Sequence, residues 1–569
     1  MKDMNRLKNW KYVLPIFAGF MILLQACKKD PDPVPAVPTI TSINPTTAPI
    51  GSTIAISGTN FSATPSSNTV TVGGAVATIV SASSTQLVIV VPATAATTGV
   101  VSVSTATGQT AQSSVSFTVS NKPVAEKQGT IRANTVWSKD TTYVLRGFVY
   151  VATNYTLTIQ PGTVIRGAGP ERDPEGLGRA GTLIVERVGK LIANGTASEP
   201  IVFTSSKAAG QRNYGDWGGI ILIGKSPINR PGATSYLGGI RGTTETYNEP
   251  EDNSGTLRYV RIEFAGVSVA NSTNGQTSGL TMYGVGNGTI IDNVQVSYSR
   301  NHSFGWYGGS VNTKHLVALR GTTNDFNTDW GYYGKVQFGV GLRDPEVAGP
   351  AGAVANGIYS QNFDPGENAV GVPLTSQNGA PKTAPVFTNM SIFVTSGTPS
   401  TATTSRGGGS FQAGLHLTRN TAISVYNSLF YGFPEGLRLE GTTTGTLANV
   451  NGGTIDLKGV TLANSLTPIV GGGAVTTDIA TTYFNNTTRS NQIVPSSAVA
   501  SLLLNSSTFN LTAPSFLLQA SSPLLTGAVT GGKVADSFFT QTAYRGAFGT
   551  ENWLQGWTNF DPQNANYDR

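Results

Sequence analysis

The side chains best suited to chemistry are concentrated between residues 300 and 333. Six of them are candidate ligand-binding residues: His302, Trp306, Asp325, Asp329, Trp330 and Tyr332. On one shared face, the aromatic rings would stack on sugar rings while the aspartates bind hydroxyl groups. Asp325 and Asp329 would also suit Ca²⁺, which takes oxygen ligands. Alternatively, aromatic residues at equivalent positions stack inside a repeated fold, and corner aspartates bond to their own backbone.

Signatures of established active sites are missing from the sequence. The three histidines, His302, His315 and His416, lack the paired spacing of zinc sites, and there is no GxSxG sequence or P-loop. The tripeptide from Asn327 to Asp329 is similar to one motif of polygalacturonases, but its Asp-Asp, Gly-His-Gly and Arg-Ile-Lys companions are absent. We therefore assign no catalytic residue and no cofactor apart from the Ca²⁺ considered above.

Two further polar stretches carry weaker signals. Glu249, Glu251 and Asp252 gather carboxylates in one loop, which could offer oxygen ligands to Ca²⁺ or bond to its own backbone. The run from Arg406 to Ser410 (RGGGS) lacks the Lys-Ser/Thr ending of a phosphate-binding loop. We predict that this run is a flexible loop.

Net charge argues against nucleic acid as a partner. The formal charge is +6, but residues 1–26 contain four basic residues and one acidic residue, so +3 is left for the remainder. Those basic residues are scattered, whereas phosphate binding needs clustered Lys and Arg.

Residues 1–26 have the pattern of a secretory signal peptide. A basic start precedes an apolar run (YVLPIFAGFMILL) that is short for a membrane span, which needs about 20 residues. The run ends in LQAC, which resembles the bacterial lipobox and implies cleavage before Cys27 and diacylglycerol on its thiol. A free or buried cysteine is the alternative. Cys27 is the only cysteine, so no intramolecular disulfide can form.

Residues 27–37 form a predicted tether behind this anchor, stiffened by alternating prolines. The charged residues after the lipid site, including Asp30 and Asp32, resemble the surface-export signal of Bacteroidetes lipoproteins. This resemblance implies an outer-membrane lipoprotein that faces the cell exterior. A lipoprotein facing the periplasm is the alternative.

Residues 38–119 alternate apolar and polar side chains in short runs separated by turns, as an immunoglobulin-like β-sandwich requires. The stretches INP, PIG, ISGTNF, VGG and SFTV resemble an IPT/TIG domain. Gly58 and Asn60 are expected at turn positions with positive φ, and Phe61 is expected to pack between the sheets.

After a linker at residues 120–128, strand-like runs recur from 129 to 543 at irregular intervals, with Gly, Asn or Asp at the corners. This pattern favours a right-handed parallel β-helix, since a propeller would show a regular period. Stretches such as LTIQPGTVIRG and GDWGGIILIGKSPIN resemble pectin-lyase-like β-helix surface proteins of Bacteroidetes. The predicted fold class is therefore all-β, a sandwich followed by a solenoid. Residues 544–569 hold an aromatic cluster that we interpret as a cap over the last coil.

Three functions remain open from the sequence. The first is a non-catalytic binding or adhesion module for a polysaccharide or an outer-membrane protein partner, with the IPT/TIG domain as a spacer. The second is a polysaccharide lyase or glycoside hydrolase with a site around His302, Asp325 and Asp329, which rests on analogy between folds. The third is a structural spacer at the cell surface.

Overall fold

The computed structural model describes residues 36–120, 122–230, 241, 248–267, 277–363 and 380–567. Their contacts divide the chain into two compact units, with the boundary between Lys122 and Pro123. The predicted signal peptide, Cys27 and most of the tether lie outside the described residues. No helix in the described ranges is both long and apolar enough to span a membrane.

The first unit is the predicted sandwich. Its strands are β1 Thr39–Asn44, β2 Thr47–Ala48, β3 Thr53–Thr59, β4 Asn68–Val72, β5 Ala75–Ala82, β6 Gln86–Val90, β7 Thr98–Gly99, β8 Val101–Thr105, β9 Thr110–Gln112 and β10 Phe117–Val119. They form a sheet in the order β1-β3-β6-β5-β4-β8-β9 and a smaller sheet, β2-β10-β7. The inward side chains of the period-two pattern, such as Ile56, Leu87 and Val103, make up the core.

Two of the three expectations for the ISGTNF stretch are confirmed. Asn60 has a φ of 61°, and Phe61 is buried in the core of the sandwich. Gly58 does not have a positive φ. A glycine is needed there because a Cβ atom would lie 1.9 Å from the carbonyl oxygen of Thr39 and 2.4 Å from the ring of Phe61.

The described residues of the second unit form 28 strands, 26 of which belong to one continuous hydrogen-bonded sheet. These strands are β11 Val124–Ile131, β12 Thr135–Trp137, β13 Thr142–Val151, β14 Thr156–Ile159, β15 Val164–Gly167, β16 Thr182–Val185, β17 Lys190–Asn194, β18 Ile201–Ser205, β19 Gly219–Ile223, β20 Gly255–Glu263, β21 Leu280–Tyr283, β22 Ile290–Ser297, β23 Phe304–Tyr307, β24 Asn312–Leu319, β25 Phe326–Asp329, β26 Lys335–Leu342, β28 Ile358–Ser360, β29 Val386–Phe393, β31 Ala413–Leu417, β32 Ser424–Tyr426, β33 Leu429–Tyr431, β34 Glu435–Gly441, β35 Asp456–Lys458, β36 Thr461–Ala463, β37 Thr467–Gly473 and β38 Gln492–Val494. The other two, β27 Val354–Ala355 and β30 Ser410–Phe411, pair with each other.

The continuous sheet folds into three parallel sides, in which each strand pairs with a strand of the next coil. Sheet A contains β12, β14, β17, the first halves of β20, β22, β24, β26 and β29, and then β32 and β35. Sheet B contains the first halves of β11 and β13, then β15, β18, the second halves of the five shared strands, β33, β36 and β38. Sheet C contains the second halves of β11 and β13, then β16, β19, β21, β23, β25, β28, β31, β34 and β37. The second unit is therefore the predicted parallel β-helix.

The corner between sheets A and B takes a single residue with left-handed backbone conformation in each of seven successive coils. These residues are Tyr259, Asn293, His315, Phe338, Asn389, Asn427 and Gly459. Such a conformation strains most side chains, and Asn and Gly tolerate it best. The corner residues also point towards a C-terminal segment, where Tyr259 meets the edge of Trp557 at 6.0 Å and Asn389 donates hydrogen bonds to the carbonyl oxygens of Tyr544 and Gly546.

Helices contribute little to this unit, and one of them closes the end of the solenoid. Among the described residues of this unit, the α-helices are α1 Ala448–Asn451 and α2 Thr477–Phe484. Short segments of other helix types cover Pro170–Arg172, Thr443–Leu447, Thr487–Arg489, Ser496–Leu502, Pro523–Leu525 and Gly532–Ala535, and one in the first unit covers Pro65–Ser67. Ala480, Tyr483 and Phe484 of α2 belong to the interior core of the β-helix. Helix α2 thus covers the last coil.

The aromatic segment at the C-terminus is not the cap that the sequence indicated. Its described part, up to Tyr567, lies along the outside of sheet B, where Phe548 and Trp557 pack in one cluster with Leu319 and Phe393. The segment runs back to early coils, and Arg166 of β15 donates a 2.6 Å hydrogen bond to the carbonyl oxygen of Tyr567. The physical reason is that the outward side chains of sheet B are apolar and need a cover.

The predicted linker also begins to pair earlier than expected. Residues 124–127 belong to the predicted linker, yet they pair in parallel with residues 142–145 of β13. The solenoid therefore starts within the predicted linker.

Removing the indole of Trp557 tests whether the C-terminal segment stabilises the solenoid. This side chain is 1% exposed and packs against Tyr259 and Trp553. Trp557→Ala should lower the free energy of unfolding by about 3–5 kcal/mol, because a large buried aromatic residue is lost. Denaturant unfolding followed by tryptophan fluorescence and circular dichroism measures the change.

Val136→Ala is the control, since Val136 is 60% exposed on the outer surface of sheet A. It should alter the free energy of unfolding by no more than about 0.5 kcal/mol. Equal unfolding midpoints for the two variants would contradict a stabilising role for the segment.

Candidate functional site

Two of the six predicted ligand-binding residues lie inside the solenoid. Trp306 and Tyr332 are both 0% exposed, and their rings stack at 5.6 Å in the interior core. The hydroxyl group of Tyr332 donates a 2.8 Å hydrogen bond to the carbonyl oxygen of Val311. The alternative interpretation, that aromatic residues stack inside the fold, is confirmed for this pair. Neither residue can contact a ligand.

Asp325 is committed to a buried ion pair. Its carboxylate accepts a 2.7 Å hydrogen bond from Arg343, and both side chains are 0% exposed. Burial raises the pKa of Asp325 to about 6, and the guanidinium of Arg343 opposes that rise. A buried pair of this kind holds two chain segments in register.

His302 is also engaged with its neighbours. Its Nδ1 atom lies 2.9 Å from the hydroxyl of Thr323 and accepts a 3.3 Å hydrogen bond from the backbone of Asn324. Burial, assisted by the charge of Arg343, lowers the pKa of His302 to about 3. The imidazole is therefore neutral near physiological pH.

The carboxylates of Asp325 and Asp329 do not converge. Asp325 directly precedes β25 and Asp329 is its last residue, and four residues of strand span about 13 Å. Asp325 faces Arg343, whereas Asp329 accepts hydrogen bonds from the backbone N–H of Trp330 (2.7 Å) and from the amide of Gln361 (2.7 Å). This geometry does not form the predicted Ca²⁺ site, nor the predicted active site around His302, Asp325 and Asp329.

Within the described ranges, no three His, Cys, Asp or Glu side chains approach closely enough to hold a metal ion. The loop of Glu249, Glu251 and Asp252 likewise does not bring three carboxylates together. Glu249 pairs with Lys225, while burial raises the pKa of Asp252, opposed by backbone N–H groups of Lys225 and Gly286.

Trp330 lies on the outer surface of sheet C but is covered. Its ring packs against Tyr283 at 6.1 Å and Tyr307 at 5.0 Å, and the guanidinium of Arg230 lies 4.9 Å from the ring centre. These rings belong to an apolar cluster that extends over the early coils of sheet C and also includes Ile184. The early part of this outer surface is therefore a packed layer.

Long connections gather at both edges of sheet C. Between β19 and β20 the chain runs from sheet C to sheet A through residues 224–254, and residues 343–357 and 394–412 connect sheet B to sheet C. The corner between sheets A and B is short by comparison, and in seven successive coils it is turned by a single residue with left-handed backbone conformation. Binding residues concentrate on long connections that a rigid scaffold positions. Sheet C is thus the side of the solenoid best placed for function.

The later coils of sheet C carry a polar row, which we define as Tyr359, Gln361, His416, Arg438 and Glu440. Tyr359, His416 and Arg438 are in register on β28, β31 and β34 and alternate with inward aliphatic residues. Glu440 lies two residues beyond Arg438 on the same strand. Strands of one sheet are spaced by about 4.8 Å, so the row repeats at that interval along the solenoid.

Hydrogen bonds fix the side chains of this row. The hydroxyl group of Tyr359 donates to Gln361 (3.1 Å), whose amide in turn donates to Asp329. His416 Nε2 lies 2.8 Å from a carboxylate oxygen of Glu440, and Arg438 donates to the second oxygen of Glu440 at 2.8 Å. The row is therefore a rigid array of donors and acceptors.

The electrostatics of the row keep Glu440 charged. The hydrogen bond from His416 lowers the pKa of Glu440 to about 2, with a further contribution from Arg438, although burial opposes both. Burial raises the pKa of Tyr359 to about 12, so its phenol stays protonated. Side chains of Arg438 and Glu440 are 23% and 28% exposed, so solvent and a ligand can reach them.

The arrangement is better suited to binding than to acid–base chemistry. Asp329 lies two residues after Asn327 of β25, and Glu440 lies two residues after Arg438 of β34. Asn327 and Arg438 are in register through β28 and β31, three strand spacings apart. The Cα atoms of Asp329 and Glu440 are thus separated by about 14 Å. Paired carboxylates of glycosidases lie about 5–10 Å apart.

Sequence reasoning missed all five members of the row as binding residues. A signal was present in the stretches GIYSQ, AGLHLT and GLRLEG, where a polar or aromatic residue stands between aliphatic residues in three successive strands. Reading the outward positions of consecutive strands as one column would have found them.

The ionisation of Asp329 gives a pH-dependent prediction. Burial raises its pKa to about 7 from an ordinary value of 3.8, against hydrogen bonds from Trp330 and Gln361. The folded protein therefore holds this proton more tightly than the unfolded chain, and stability is lost as pH rises through about 4 to 7. Asp329→Asn should raise the free energy of unfolding at pH of about 8, by up to about 4 kcal/mol, and change it little at pH of about 4.

Denaturant unfolding at both pH values measures this difference. Asp140→Asn, at an exposed position, is the matched control and should show no such pH dependence. A variant of Asp329 that is equally destabilised at both pH values would show that the charge of this side chain is not the cause.

Comparisons with known proteins agree with the architecture. A model of the pectate-lyase-like β-helix domain matches residues 129–501, well over half of the 569-residue chain, and an IPT/TIG domain model matches residues 38–119. The curated proteins include no match to this chain.

Among solved structures, the matches are short. They include auxiliary nutrient binding proteins from Bacteroides thetaiotaomicron (22% identity, 16% of this chain and 24% of that chain, TM-score 0.15) and Bacteroides ovatus (22%, 15% and 22%, 0.15). Plexin A4 matches at 23% identity over 15% of this chain and 10% of its own, with a TM-score of 0.14. This chain thus spans about a quarter or less of the length of these proteins. On the match over residues 129–501, the chain belongs to the pectate-lyase-like β-helix domain family and carries an IPT/TIG domain ahead of the β-helix.

Proposed function

We propose that this protein is a non-catalytic binding module displayed at the cell surface, and that the polar row of sheet C binds an extended glycan. The observation that carries the proposal is the in-register column of Tyr359, His416 and Arg438. A column that repeats with every coil suits a ligand that is itself a repeating chain, lying along the solenoid.

The chemistry of the row favours sugar over other ligands. The partly exposed guanidinium of Arg438, carboxylate of Glu440 and amide of Gln361 present both donors and acceptors, which is what the hydroxyl groups of a glycan require. The imidazole of His416 is 5% exposed and positions Glu440. Tyr359 adds an aromatic ring, which packs edge-on against His416 at 4.8 Å and can contact the C–H face of a sugar. Because these groups are already fixed by mutual hydrogen bonds, little side-chain entropy is lost on binding.

Lipid anchoring and outward display are part of the same proposal. They rest on the LQAC sequence at Cys27 and on the acidic residues Asp30 and Asp32, all outside the described part of the chain. In this arrangement the tether and the sandwich act as spacers. The proposed partners are the membrane, through diacylglycerol on Cys27, and a polysaccharide or an outer-membrane protein that carries one.

Binding by the row is tested on the soluble chain that begins at Lys28. The wild-type protein should retain bound ligands on a glycan array, and Tyr359→Ala and Arg438→Ala should each weaken binding at least about tenfold, which corresponds to about 1.4 kcal/mol. Affinity is then measured by calorimetry on the ligands found. The mixture is also analysed for shortened glycan chains.

Arg258→Ala is the matched control for Arg438→Ala, because Arg258 is an exposed strand arginine on sheet A. It should leave the affinity unchanged. Equal losses at the two positions would show that the polar row is not the binding surface, and the appearance of shortened chains would show that the protein is an enzyme.

The anchor is tested separately by Cys27→Ser. The variant lacks the thiol that would receive diacylglycerol, so it should move from the membrane fraction to the soluble fraction, as measured by immunoblotting after ultracentrifugation. Protease treatment of intact cells that express the wild-type protein tests outward display, with Asp30→Asn and Asp32→Asn together as the variant expected to reduce it. Unchanged membrane retention of the Cys27→Ser variant would overturn the proposed anchor.

A further inference from the structure

A second concave site lies at the corner between sheets B and C, apart from the polar row. We call it the corner pocket and define it by Phe411, Val394, Pro434, Glu346, Thr398 and Thr403, which line a cavity of about 200 Å³. Residues 343–357 follow β26, and residues 394–412 follow β29, so the pocket stands between two long connections. A cavity of this size accommodates a ligand of one ring.

The floor of the pocket is apolar and held in place. Phe411 forms its aromatic part, with the guanidinium of Arg343 at 5.4 Å from the ring centre and Phe433 packed edge-on at 6.5 Å. Arg343 is in turn fixed by its buried ion pair with Asp325. Phe411 is 6% exposed and belongs to the interior core, so it gives the pocket a fixed apolar end that a ligand contacts over a small area.

Ion pairs brace the pocket walls. The buried carboxylate of Asp344 accepts hydrogen bonds of 2.6 Å from both Arg320 and Arg406, which ties the first connection to the second. Thr404, another lining residue, accepts a 3.0 Å hydrogen bond from the backbone N–H of Ala348. These contacts form the pocket before any ligand arrives.

The glycine run in this wall is not the flexible loop that the sequence indicated. Ser410 and Phe411 pair with β27, and the backbone of Arg406 donates a 3.0 Å hydrogen bond to Glu346. A Cβ atom at Gly407 would lie 1.9 Å from the carbonyl oxygen of Ala348, at a φ of +98°. The glycines are there because two backbones approach closely.

The rim supplies hydroxyl groups that are available to a ligand. Thr398 and Thr403 line the cavity, and neither side chain makes a hydrogen bond with any residue that the structure describes. Each hydroxyl group can donate one hydrogen bond and accept two. A fixed apolar floor with a few polar groups at the rim is the usual form of a small-molecule site.

Charge narrows the class of ligand. Among the side chains that line the cavity, Glu346 carries the one formal charge, and it is 68% exposed with Arg406 at 3.4 Å. Arg406 partly neutralises this carboxylate, but Glu346 is the more exposed partner, so the rim still favours a protonated amine over an acidic sugar. From the apolar floor, the threonine hydroxyl groups at the rim and the carboxylate of Glu346, we infer that the corner pocket binds a single neutral or amino sugar ring.

The test uses the soluble chain from Lys28 and four probes, namely methyl glucoside, methyl galactoside, glucosamine and glucuronate. Saturation-transfer NMR and competition titrations should detect millimolar binding of at least one neutral sugar or of glucosamine, with glucuronate at least tenfold weaker. Ser400→Trp, which places an indole at an exposed position on the cavity lining, should weaken binding at least tenfold. Glu346→Gln should reduce the preference for glucosamine over glucuronate.

Thr401→Trp is the matched control, because Thr401 is exposed, adjacent in sequence and absent from the cavity lining. It should bind the probes as the wild type does, and equal unfolding midpoints of both tryptophan variants would establish that the fold is intact. Arg258→Ala, at an exposed position on sheet A, should also leave probe binding unchanged. Because Ser400 lines the corner pocket and does not belong to the polar row, loss of probe binding in the Ser400 variant assigns that binding to the corner pocket. The inference is overturned by absence of binding of all four probes, by glucuronate binding as well as the neutral sugars, or by equal binding to the Ser400 and Thr401 variants.

Discussion

Hydrogen bonding from coil to coil determines what every surface of the second unit can be. Each strand of sheets A, B and C pairs with the strand above and below it, so inward and outward positions are fixed along whole columns. The inward columns are filled by Val, Ile, Leu and stacked rings such as Phe304 and Phe326, 5.6 Å apart. The outward columns are consequently in register as well, and three strands suffice to build the row of Tyr359, His416 and Arg438.

The outer surfaces of sheets A, B and C differ because the connections at the edges of these sheets differ in length. One left-handed residue turns the chain from sheet A to sheet B, and no insertion separates the two halves of β20, β22, β24, β26 or β29. Sheet B is covered by the C-terminal segment, whose Phe548 and Trp557 replace water on an apolar surface. Sheet C alone has long connections on both edges. The candidate sites, the polar row and the corner pocket, therefore lie on or beside sheet C.

The fold class was predictable from the sequence, whereas the candidate site was not. Period-two alternation and glycine-rich corners indicated a sandwich followed by a parallel β-helix, and both are present. The sequence shows that side chains alternate between the two faces of a strand, but it does not show which of the two faces is turned to the interior. Trp306 therefore looked like a ligand platform although it shares the inward parity of Phe304. Asp325 looked like a metal ligand because its partner, Arg343, arrives from the next coil. The C-terminal segment lacks any strand after β38, so no periodicity revealed that it follows sheet B.

The return path of the C-terminal segment has a mechanical consequence. Tyr567 accepts a hydrogen bond from Arg166 of β15 in an early coil, and β11 begins at Val124 nearby, so the first and last described residues of this unit lie towards the same end of the solenoid. The far end is closed by helix α2 and carries no terminus. A force between the N-terminal tether and a ligand on the polar row would therefore enter at the first coil and pass through the early coils to β28, β31 and β34. The segment also spans coils at fixed sites, such as Gln295 with Asn559 and Gln337 with Thr540. Inserting or deleting one coil would misalign these hydrogen bonds. The C-terminal segment therefore fixes the number of coils in a solenoid that could otherwise be extended by further repeats.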